Sequence, residues 1–185
     1  EEEDRLVGFE TGADDYVVAP DSNSLDITSA VTVEAWVQRT KNAAFQVIVG
    51  KPGNGQSKFE NYALWFNTSN GVTAYFGNGT TFAAATTAAL DTNWHHVAAT
   101  YDNATVRVYV DGTQRASSTS TVQLTPNAQP LNLGRAQGTT AYSLGGKLDE
   151  VAIYPTVLSA ARIQAHYDAA RRTDTVAPAV TLTAP

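Results

Sequence analysis

Apolar and polar residues alternate most regularly between positions 31 and 38. Apolar side chains take every second position and the remaining positions carry polar or aromatic groups: Val31, Val33, Ala35 and Val37 against Thr32, Glu34, Trp36 and Gln38. Successive side chains of a β-strand point to opposite faces of the sheet. This pattern therefore predicts a strand with one apolar face and one polar face.

Further strand patterns follow with short breaks between them. They lie at Phe45–Gly50, Tyr62–Phe66, Val72–Phe76, Trp94–Tyr101, Thr105–Val110, Leu131–Leu133 and Leu148–Tyr154. Asn70-Gly71 and Asp111-Gly112 suit tight hairpin turns because these residue types tolerate positive φ. Many short strands joined by hairpins predict an all-β fold, an antiparallel sandwich of two sheets.

One helix is predicted in the segment LSAARIQAHYDAARR. Ser159 is a suitable N-cap, and Ile163, Tyr167 and Ala170 follow at helical spacing on one face. We expect this short C-terminal helix to pack on the outside of the sandwich. The folded domain is predicted to span residues 5–172, after an acidic tail at 1–4. Residues 173–185 resemble a linker that leads towards an immunoglobulin-like domain.

The two adjacent histidines, His95 and His96, lie in the strand pattern Trp94–Tyr101. Neighbouring strand residues face opposite sides of a sheet. These two side chains are therefore not expected to bind one metal ion or to act as an acid–base pair, and the segment is predicted to be a structural hairpin.

Composition narrows the classes of partner. The formal net charge of −6 argues against nucleic acid or an anionic membrane as the main partner. No apolar run approaches the roughly 20 residues that a membrane-spanning helix needs. The chain has no cysteine, which excludes disulfides and thiolate metal sites.

Four segments carry a resemblance to a known family: SLDITSAVTVEAWVQ, NWHHVAATYDNATVRVYVDGTQ, LNLGRA and GGKLDEVAIYPTVLSAARIQAHY. In this order they resemble laminin G-like (concanavalin A-like) jelly-roll domains, over about Val7 to Tyr167. The resemblance implies a jelly-roll sandwich in a secreted or cell-surface bacterial protein. Domains of this family bind glycans, bind proteins or act as spacers between larger units.

The carboxylates do not indicate an enzyme. Glycoside hydrolysis needs two carboxyl groups at a set separation, and the E-x-D-x-x-E pattern of related glucanases does not occur in the chain. Asp149 and Glu150 are strand neighbours and are expected to face opposite sides. The chain also lacks G-x-S-x-G and H-E-x-x-H motifs. No catalytic residue is therefore predicted.

Asp149 nevertheless indicates a metal site. Alternation along Leu148–Tyr154 places it on the same face as Val151 and Ile153, where an isolated carboxylate is costly. The family resemblance implies a structural Ca²⁺ where the first and last strands meet, held by Asp149 and Glu10, with Asp14 or Asp15 as substitutes for Glu10. The alternative is that Asp149 accepts backbone N–H groups or pairs with Arg107 or Arg135.

Aromatic residues suggest where a glycan could bind. Each predicted strand has one face that carries its aliphatic residues. On the other face lie Trp36, Trp65 with Asn67, Tyr75, and Tyr109 with Arg107. These would form one aromatic platform if their strands share a sheet and no bulge intervenes. Loops at residues 51–60 and 134–143, the second carrying Arg135, Gln137 and Tyr142, offer another ligand site. The alternative for each aromatic residue is packing inside the sandwich.

These observations favour a non-catalytic carbohydrate-binding module of a multidomain extracellular bacterial protein. Its expected partners are a glycan and the adjacent domains of the same chain. The alternative is a protein-binding or architectural adhesion module without glycan affinity.

Overall fold

The structure is a computed structural model that describes residues 9–11, 15–53 and 61–171, with side chains from residue 15 onwards. Over these residues the chain forms twelve strands, one 3₁₀ turn (Asn23–Leu25) and one α-helix. The strands are β1 (Phe9–Thr11), β2 (Val17–Ala19), β3 (Val31–Arg39), β4 (Gln46–Lys51), β5 (Tyr62–Phe66), β6 (Gly71–Gly77), β7 (Phe82–Ala89), β8 (His95–Tyr101), β9 (Thr105–Val110), β10 (Thr113–Thr119), β11 (Leu131–Leu133) and β12 (Gly146–Tyr154), and the helix is α1 (Ala160–Ala170). The predicted tail at 1–4 and the linker at 173–185 lie outside the described residues.

The strands form two antiparallel sheets of six strands each. Sheet I has the order β1-β12-β3-β8-β9-β10, and sheet II has the order β2-β11-β4-β5-β6-β7. Strands β4 to β7 are joined by hairpins, whereas β12 returns from the far end of the chain to lie between β1 and β3. This arrangement confirms the predicted two-sheet jelly-roll sandwich.

The core lies between the facing surfaces of the two sheets. The predicted apolar face of β3 is fully buried there, together with Leu64 and Phe66 of β5. Phe76 of sheet II stacks on Tyr101 of sheet I, with ring centroids 5.1 Å apart. Burying one large apolar side chain stabilises a fold by about 1.5–3 kcal/mol, so this shared layer holds the sheets together.

The predicted hairpin turns have the expected backbone. Asn70 has φ 65°, and Asp111 and Gly112 have φ 51° and 74°. Asn, Asp and Gly tolerate this left-handed region better than other residues. These turns reverse the chain between β5 and β6 and between β9 and β10.

A bulge in β12 changes the orientation of Asp149. Leu148 lies opposite Val37 and Asp149 opposite Trp36, but Ala152 is the next residue in register and lies opposite Glu34. The extra residue is accommodated at Glu150, whose φ is 51°. A bulge reverses the alternation beyond it. The prediction that Asp149 shares a face with Val151 and Ile153 is therefore wrong: Asp149 is on the outer face of sheet I.

The C-terminal helix packs on that outer face, as predicted. Ser159 caps it, with its Oγ accepting a hydrogen bond from the Arg162 amide at 3.2 Å. The buried residue of α1, Ile163, contacts Ala98 and Tyr109 on sheet I. Just before the helix, the Leu158 amide donates to Thr32 Oγ1 at 2.9 Å. These contacts fix the start of α1 against β3.

Substitution of two phenylalanines can test which face of sheet II is buried. Phe76 on β6 lies on the inner face, and Phe82 on the neighbouring strand β7 lies on the outer face. Phe76→Ala is expected to lower the free energy of unfolding by about 3–5 kcal/mol, since it leaves a cavity in the core. The same change at Phe82, which is 43% exposed, is expected to cost less than about 1 kcal/mol. Urea denaturation of both variants measures the difference, and similar losses would contradict this assignment of faces.

Candidate functional site

The aromatic residues predicted as one platform lie on different sheets. Trp36 is on β3 and Tyr109 on β9, which both belong to sheet I, whereas Trp65 on β5 and Tyr75 on β6 belong to sheet II. Their side chains are on the outer faces, which point away from each other across the sandwich. The condition for a single platform is therefore not met.

On sheet I, the candidate residues are covered or paired. The Trp36 ring stacks on Tyr167 of α1, with centroids 5.7 Å apart and an interplanar angle of 17°. Tyr109 is 3% exposed and packs with Ile163 of the helix. Arg107 forms an ion pair with Asp102, with 3.1 Å between Nη1 and Oδ2. This face is therefore closed by α1 at Trp36 and Tyr109, where packing is their observed role.

Sheet II carries a continuous row of aromatic side chains on its outer face. We call this row the aromatic strip, and it consists of Tyr142, Trp65, Tyr75 and Phe82. The ring centroids are 5.4 Å apart between Tyr142 and Trp65, 6.3 Å between Trp65 and Tyr75, and 5.5 Å between Tyr75 and Phe82. Tyr142 is 40% exposed and Phe82 43%, so both ends of the strip are open to solvent.

Three strands and one loop position the strip. Trp65 lies opposite Thr73 in the β5–β6 register, and Tyr75 lies opposite Ala84 in the β6–β7 register. Tyr142 comes from the loop after β11, where its carbonyl accepts a hydrogen bond from the Val47 amide at 3.0 Å. Burial raises the pKa of the Tyr75 phenol, although Thr73 opposes this by hydrogen bonding, so the hydroxyl stays neutral at physiological pH.

The two polar candidates of sheet II have structural partners. Asn67 Oδ1 accepts hydrogen bonds from the amides of Ser69 and Gly71, at 2.8 and 3.1 Å, and so holds the β5–β6 turn. The Arg135 guanidinium lies over the Tyr16 ring, 3.3 Å from its centroid. Arg135 is therefore engaged beside β2, the edge strand opposite β7.

Sequence reasoning missed Phe82. The alternation Phe82, Ala84 and Thr86 against buried Ala83, Ala85 and Thr87 is a usable signal, because it places Phe82 on the outer face. Only the pairing of β6 with β7 shows that Phe82 continues the row begun by Trp65 and Tyr75. That pairing is a property of the fold rather than of the local pattern.

A cluster of polar side chains lies between sheet I and α1, and the sequence patterns did not predict it either. Glu34 is 5% exposed. Its Oε1 accepts hydrogen bonds from Tyr154 Oη at 3.0 Å and His166 Nδ1 at 2.8 Å, and its Oε2 lies 3.5 Å from His96 Nε2. These residues border a cavity of about 350 Å³ that Arg162 and Glu150 also line. His166 comes from the helix, so no strand pattern could have indicated it.

Burial is the largest single influence on the pKa of Glu34 and raises it. The hydrogen bond and charge of His96, the charge of His166 and the hydrogen bond of Tyr154 oppose burial, and together they lower the pKa below its ordinary value. Glu34 is therefore ionised at neutral pH. The Glu34 carboxylate therefore stabilises the packing of the helix on β3 through its contact with His166, in addition to the apolar contacts of Ile163.

The two adjacent histidines face opposite sides, as predicted. His96 lies opposite Trp36 on the outer face, and His95 lies opposite Val37. His95 Nδ1 is 2.9 Å from Asp111 Oδ2, and its Nε2 is 3.0 Å from Asp91 Oδ1. His95 therefore contacts the turns at the end of strand β8 and does not take part in the Glu34 cluster.

The predicted calcium ligands are only partly described. Asp149 Oδ1 accepts a hydrogen bond from the Glu150 amide at 2.8 Å, and Asp15 is exposed. The backbone register places Glu10 opposite Lys147, but the Glu10 side chain and Asp14 lie outside the described part of the chain. Among the described residues, no three His, Cys, Asp or Glu form a group that could hold a metal ion. Calcium stays a prediction.

Comparisons with known proteins agree with the fold. The family model of the concanavalin A-like lectin/glucanases superfamily matches residues 11–164. No curated protein matches the chain. Within the described residues, no helix is long and apolar enough to cross a membrane.

Solved structures share the architecture at low sequence identity. The CBM40 domain of the Ruminococcus gnavus IT-sialidase, bound to α2,3-sialyllactose, has a TM-score of 0.69 and 18% identity, over 88% of this chain and 97% of that domain. A putative carbohydrate-binding protein from Bacteroides ovatus has a TM-score of 0.67 and 19% identity, over 88% of this chain and 47% of that one. The receptor-binding domain of a botulinum neurotoxin C/D mosaic has a TM-score of 0.70 at 12% identity, over 88% of this chain and 42% of that one.

Glu34→Gln is expected to destabilise the protein by about 1–3 kcal/mol at neutral pH, because it removes the charge that the three neighbours stabilise. The folded pKa of Glu34 is lowered. The stabilisation is therefore complete above the pKa of an unfolded glutamate, about 4.3, and is lost as the pH falls through the lower folded value. Melting temperatures of the wild type and Glu34→Gln should accordingly converge on acidification.

The matched control is Asp168→Asn, which makes the same carboxylate-to-amide change on the exposed side of α1. It should alter the melting temperature little at any pH. A Glu34→Gln difference that stays constant or grows as the pH falls would contradict the role given to the Glu34 charge.

Proposed function

The chain belongs to the concanavalin A-like lectin/glucanases superfamily, and from that premise we propose that it is a non-catalytic carbohydrate-binding module. Its ligand lies on the aromatic strip of sheet II. The single observation that carries the proposal is this row of four touching aromatic rings on an outer face of the sandwich.

Aromatic faces are suited to sugars because the C–H surface of a pyranose ring packs on them, while nearby hydroxyl groups exchange hydrogen bonds. The strip offers both kinds of contact. Its rings are flanked by Thr73 and Thr86, whose Oγ1 atoms are 3.0 Å apart. The corresponding face of sheet I is closed at Trp36 and Tyr109 by α1. We therefore assign the glycan to sheet II, whose row of aromatic rings is open at both ends.

The side chains at the strip supply no hydrolytic chemistry. Hydrolysis needs two carboxyl groups, about 5–5.5 Å apart for retention or 6.5–9.5 Å for inversion. The strip residues carry no carboxylate, and neither do the register partners of Trp65 and Tyr75, which are Val47, Thr73, Ala63 and Ala84. Glu34 is on the other sheet and is held by Tyr154 and His166. This placement supports binding without cleavage.

The similar structures support the same function. The Ruminococcus gnavus domain binds sialyllactose and belongs to a sialidase, and the Bacteroides ovatus protein is described as a putative carbohydrate-binding protein. By analogy, we place this module in a multidomain extracellular bacterial protein, where it holds a neighbouring enzyme or adhesin domain close to polysaccharide.

Trp65→Ala is expected to abolish or strongly weaken retention of the protein in native gels that contain its polysaccharide ligand. Loss of a central aromatic contact typically costs about 2 kcal/mol, roughly thirtyfold in affinity. The gels would test a panel of soluble plant, fungal and bacterial polysaccharides. Trp94→Ala is the matched control, because Trp94 is 40% exposed but precedes β8 of sheet I. It should be retained like the wild type.

Two outcomes would contradict the proposal. Retention by none of a broad panel of polysaccharides and glycans would favour the protein-binding or architectural alternative. Retention that Trp65→Ala leaves intact would move the site away from the strip.

A structural Ca²⁺ remains part of the proposal, supported by the family resemblance and held by Asp149 with Glu10, Asp14 or Asp15. A ligand that binds only the folded state raises its stability. Addition of EDTA is therefore expected to lower the melting temperature by several degrees, and excess Ca²⁺ should restore it. Asp149→Asn should lack this response. An unchanged melting temperature of the wild type in EDTA would contradict the calcium proposal.

A further inference from the structure

We propose, resting on the proposed function, that the aromatic strip binds an internal stretch of one uncharged polysaccharide chain. The chain lies across strands β5, β6 and β7, and successive sugar residues turn relative to one another. The strip is accordingly not a pocket for a terminal sugar, and it does not bind the flat surface of a crystalline polysaccharide. Length, ring orientation, charge and the open ends of the strip each support a part of this inference.

The length of the strip exceeds one sugar. Its four rings are separated by three successive steps of 5.4, 6.3 and 5.5 Å. The row runs across the strands, which are spaced about 4.8 Å apart in a sheet. Each step is comparable to the length of one sugar residue in a chain. A ligand that contacts all the rings must therefore contain several residues.

The orientation of the rings excludes a flat ligand. The interplanar angles are 54° between Tyr142 and Trp65, 78° between Trp65 and Tyr75, and 63° between Tyr75 and Phe82. A crystalline surface presents parallel sugar faces, so it needs coplanar rings for stacking. Rings tilted in succession instead match a chain whose sugar faces rotate from one residue to the next.

The strip has no charge to recognise an acidic sugar. Its four residues are uncharged, and so are the residues paired with Trp65 and Tyr75 in the neighbouring strands, which are Val47, Thr73, Ala63 and Ala84. Lys51 at the end of β4 is buried and forms an ion pair with Asp21. Arg135, in the loop after β11, lies over the Tyr16 ring at the β2 side. The net charge of −6 also opposes a polyanion. A neutral polysaccharide is therefore favoured, unlike the acidic sialyllactose of the Ruminococcus gnavus domain.

The ends of the strip leave room for the chain to continue. Phe82 begins β7, which is the edge strand of sheet II, and Tyr142 lies on an exposed loop at the other end. Both rings are about two-fifths exposed. Internal segments of a long polymer can therefore lie across the strip.

The test uses the whole chain and two kinds of ligand. Native gels with soluble neutral polysaccharides (xyloglucan, mixed-linkage glucan, glucomannan, arabinoxylan, laminarin and starch) identify a polymer that retains the protein. Microcrystalline cellulose, crystalline chitin and polygalacturonate are the contrasting probes. Calorimetry then measures affinity for the disaccharide through the hexasaccharide of the retaining polymer. The variants are Trp65→Ala, Phe82→Ala and the control Trp94→Ala, each checked for an unchanged circular dichroism spectrum.

We expect affinity to rise with each added sugar until the strip is filled, at about four residues, and then to level off. Phe82→Ala should weaken binding of the hexasaccharide about three- to tenfold, since it removes one aromatic contact at the end of the row. The affinity of Phe82→Ala for the shortest oligosaccharide that binds measurably should equal that of the wild type. Such a short ligand can contact Trp65 and Tyr75 without reaching Phe82. Trp65→Ala should weaken binding at every length.

Affinity that does not depend on ligand length, or a Phe82→Ala variant that binds the hexasaccharide like the wild type, would overturn the extended-chain inference. Stronger binding to crystalline cellulose, crystalline chitin or polygalacturonate would overturn it as well. All these results would leave carbohydrate binding itself intact. Retention by no polysaccharide and no glycan would instead overturn both the inference and the proposed function.

Discussion

The mutual burial of one apolar face from each sheet is the constraint on which the rest of the structure depends. It fixes which residues of every strand point inwards, as in β3, where Val31 and Val33 are fully buried. It also leaves each sheet with an outer face, which the chain treats differently on the two sides. On sheet I, α1 packs over Trp36 and Tyr109, whereas sheet II displays the aromatic strip. The two outer faces therefore differ, and among the described residues it is sheet II that presents the row of stacked aromatic side chains.

Electrostatics and packing both hold α1 in place. Ile163 contributes apolar burial, and Glu34 contributes a buried charge that His166 and Tyr154 contact directly. A buried carboxylate is costly unless it is paired and hydrogen-bonded. The lowered pKa of Glu34 indicates that its neighbours more than offset this cost. The cluster of acid, histidines and tyrosine therefore helps to anchor the helix on sheet I.

Local patterns in the sequence were sufficient to predict much of the fold. Alternation predicted the buried face of β3 and the opposite orientation of His95 and His96, turn residues between strands predicted the sandwich, and helical spacing after Ser159 predicted the helix. It failed where the structure depends on pairing between distant segments. Trp36 and Trp65 follow the same local pattern, but only the sheet order separates them. Asp149 was assigned to the wrong face because the bulge at Glu150 has no clear sequence signal. Phe82 and His166 join their clusters through contacts that no local pattern encodes.

The central claim is that a glycan binds the outer face of sheet II and not the face covered by α1. The chain contains three tryptophans, and each reports on a different place: Trp36 beneath α1, Trp65 in the strip and Trp94 before β8. Their indole N–H signals can be assigned by replacing each tryptophan with phenylalanine and followed by two-dimensional NMR during titration with a retained oligosaccharide. We expect the Trp65 signal to shift progressively while those of Trp36 and Trp94 stay in place. A shift of Trp36 or Trp94 with Trp65 unchanged would contradict the account.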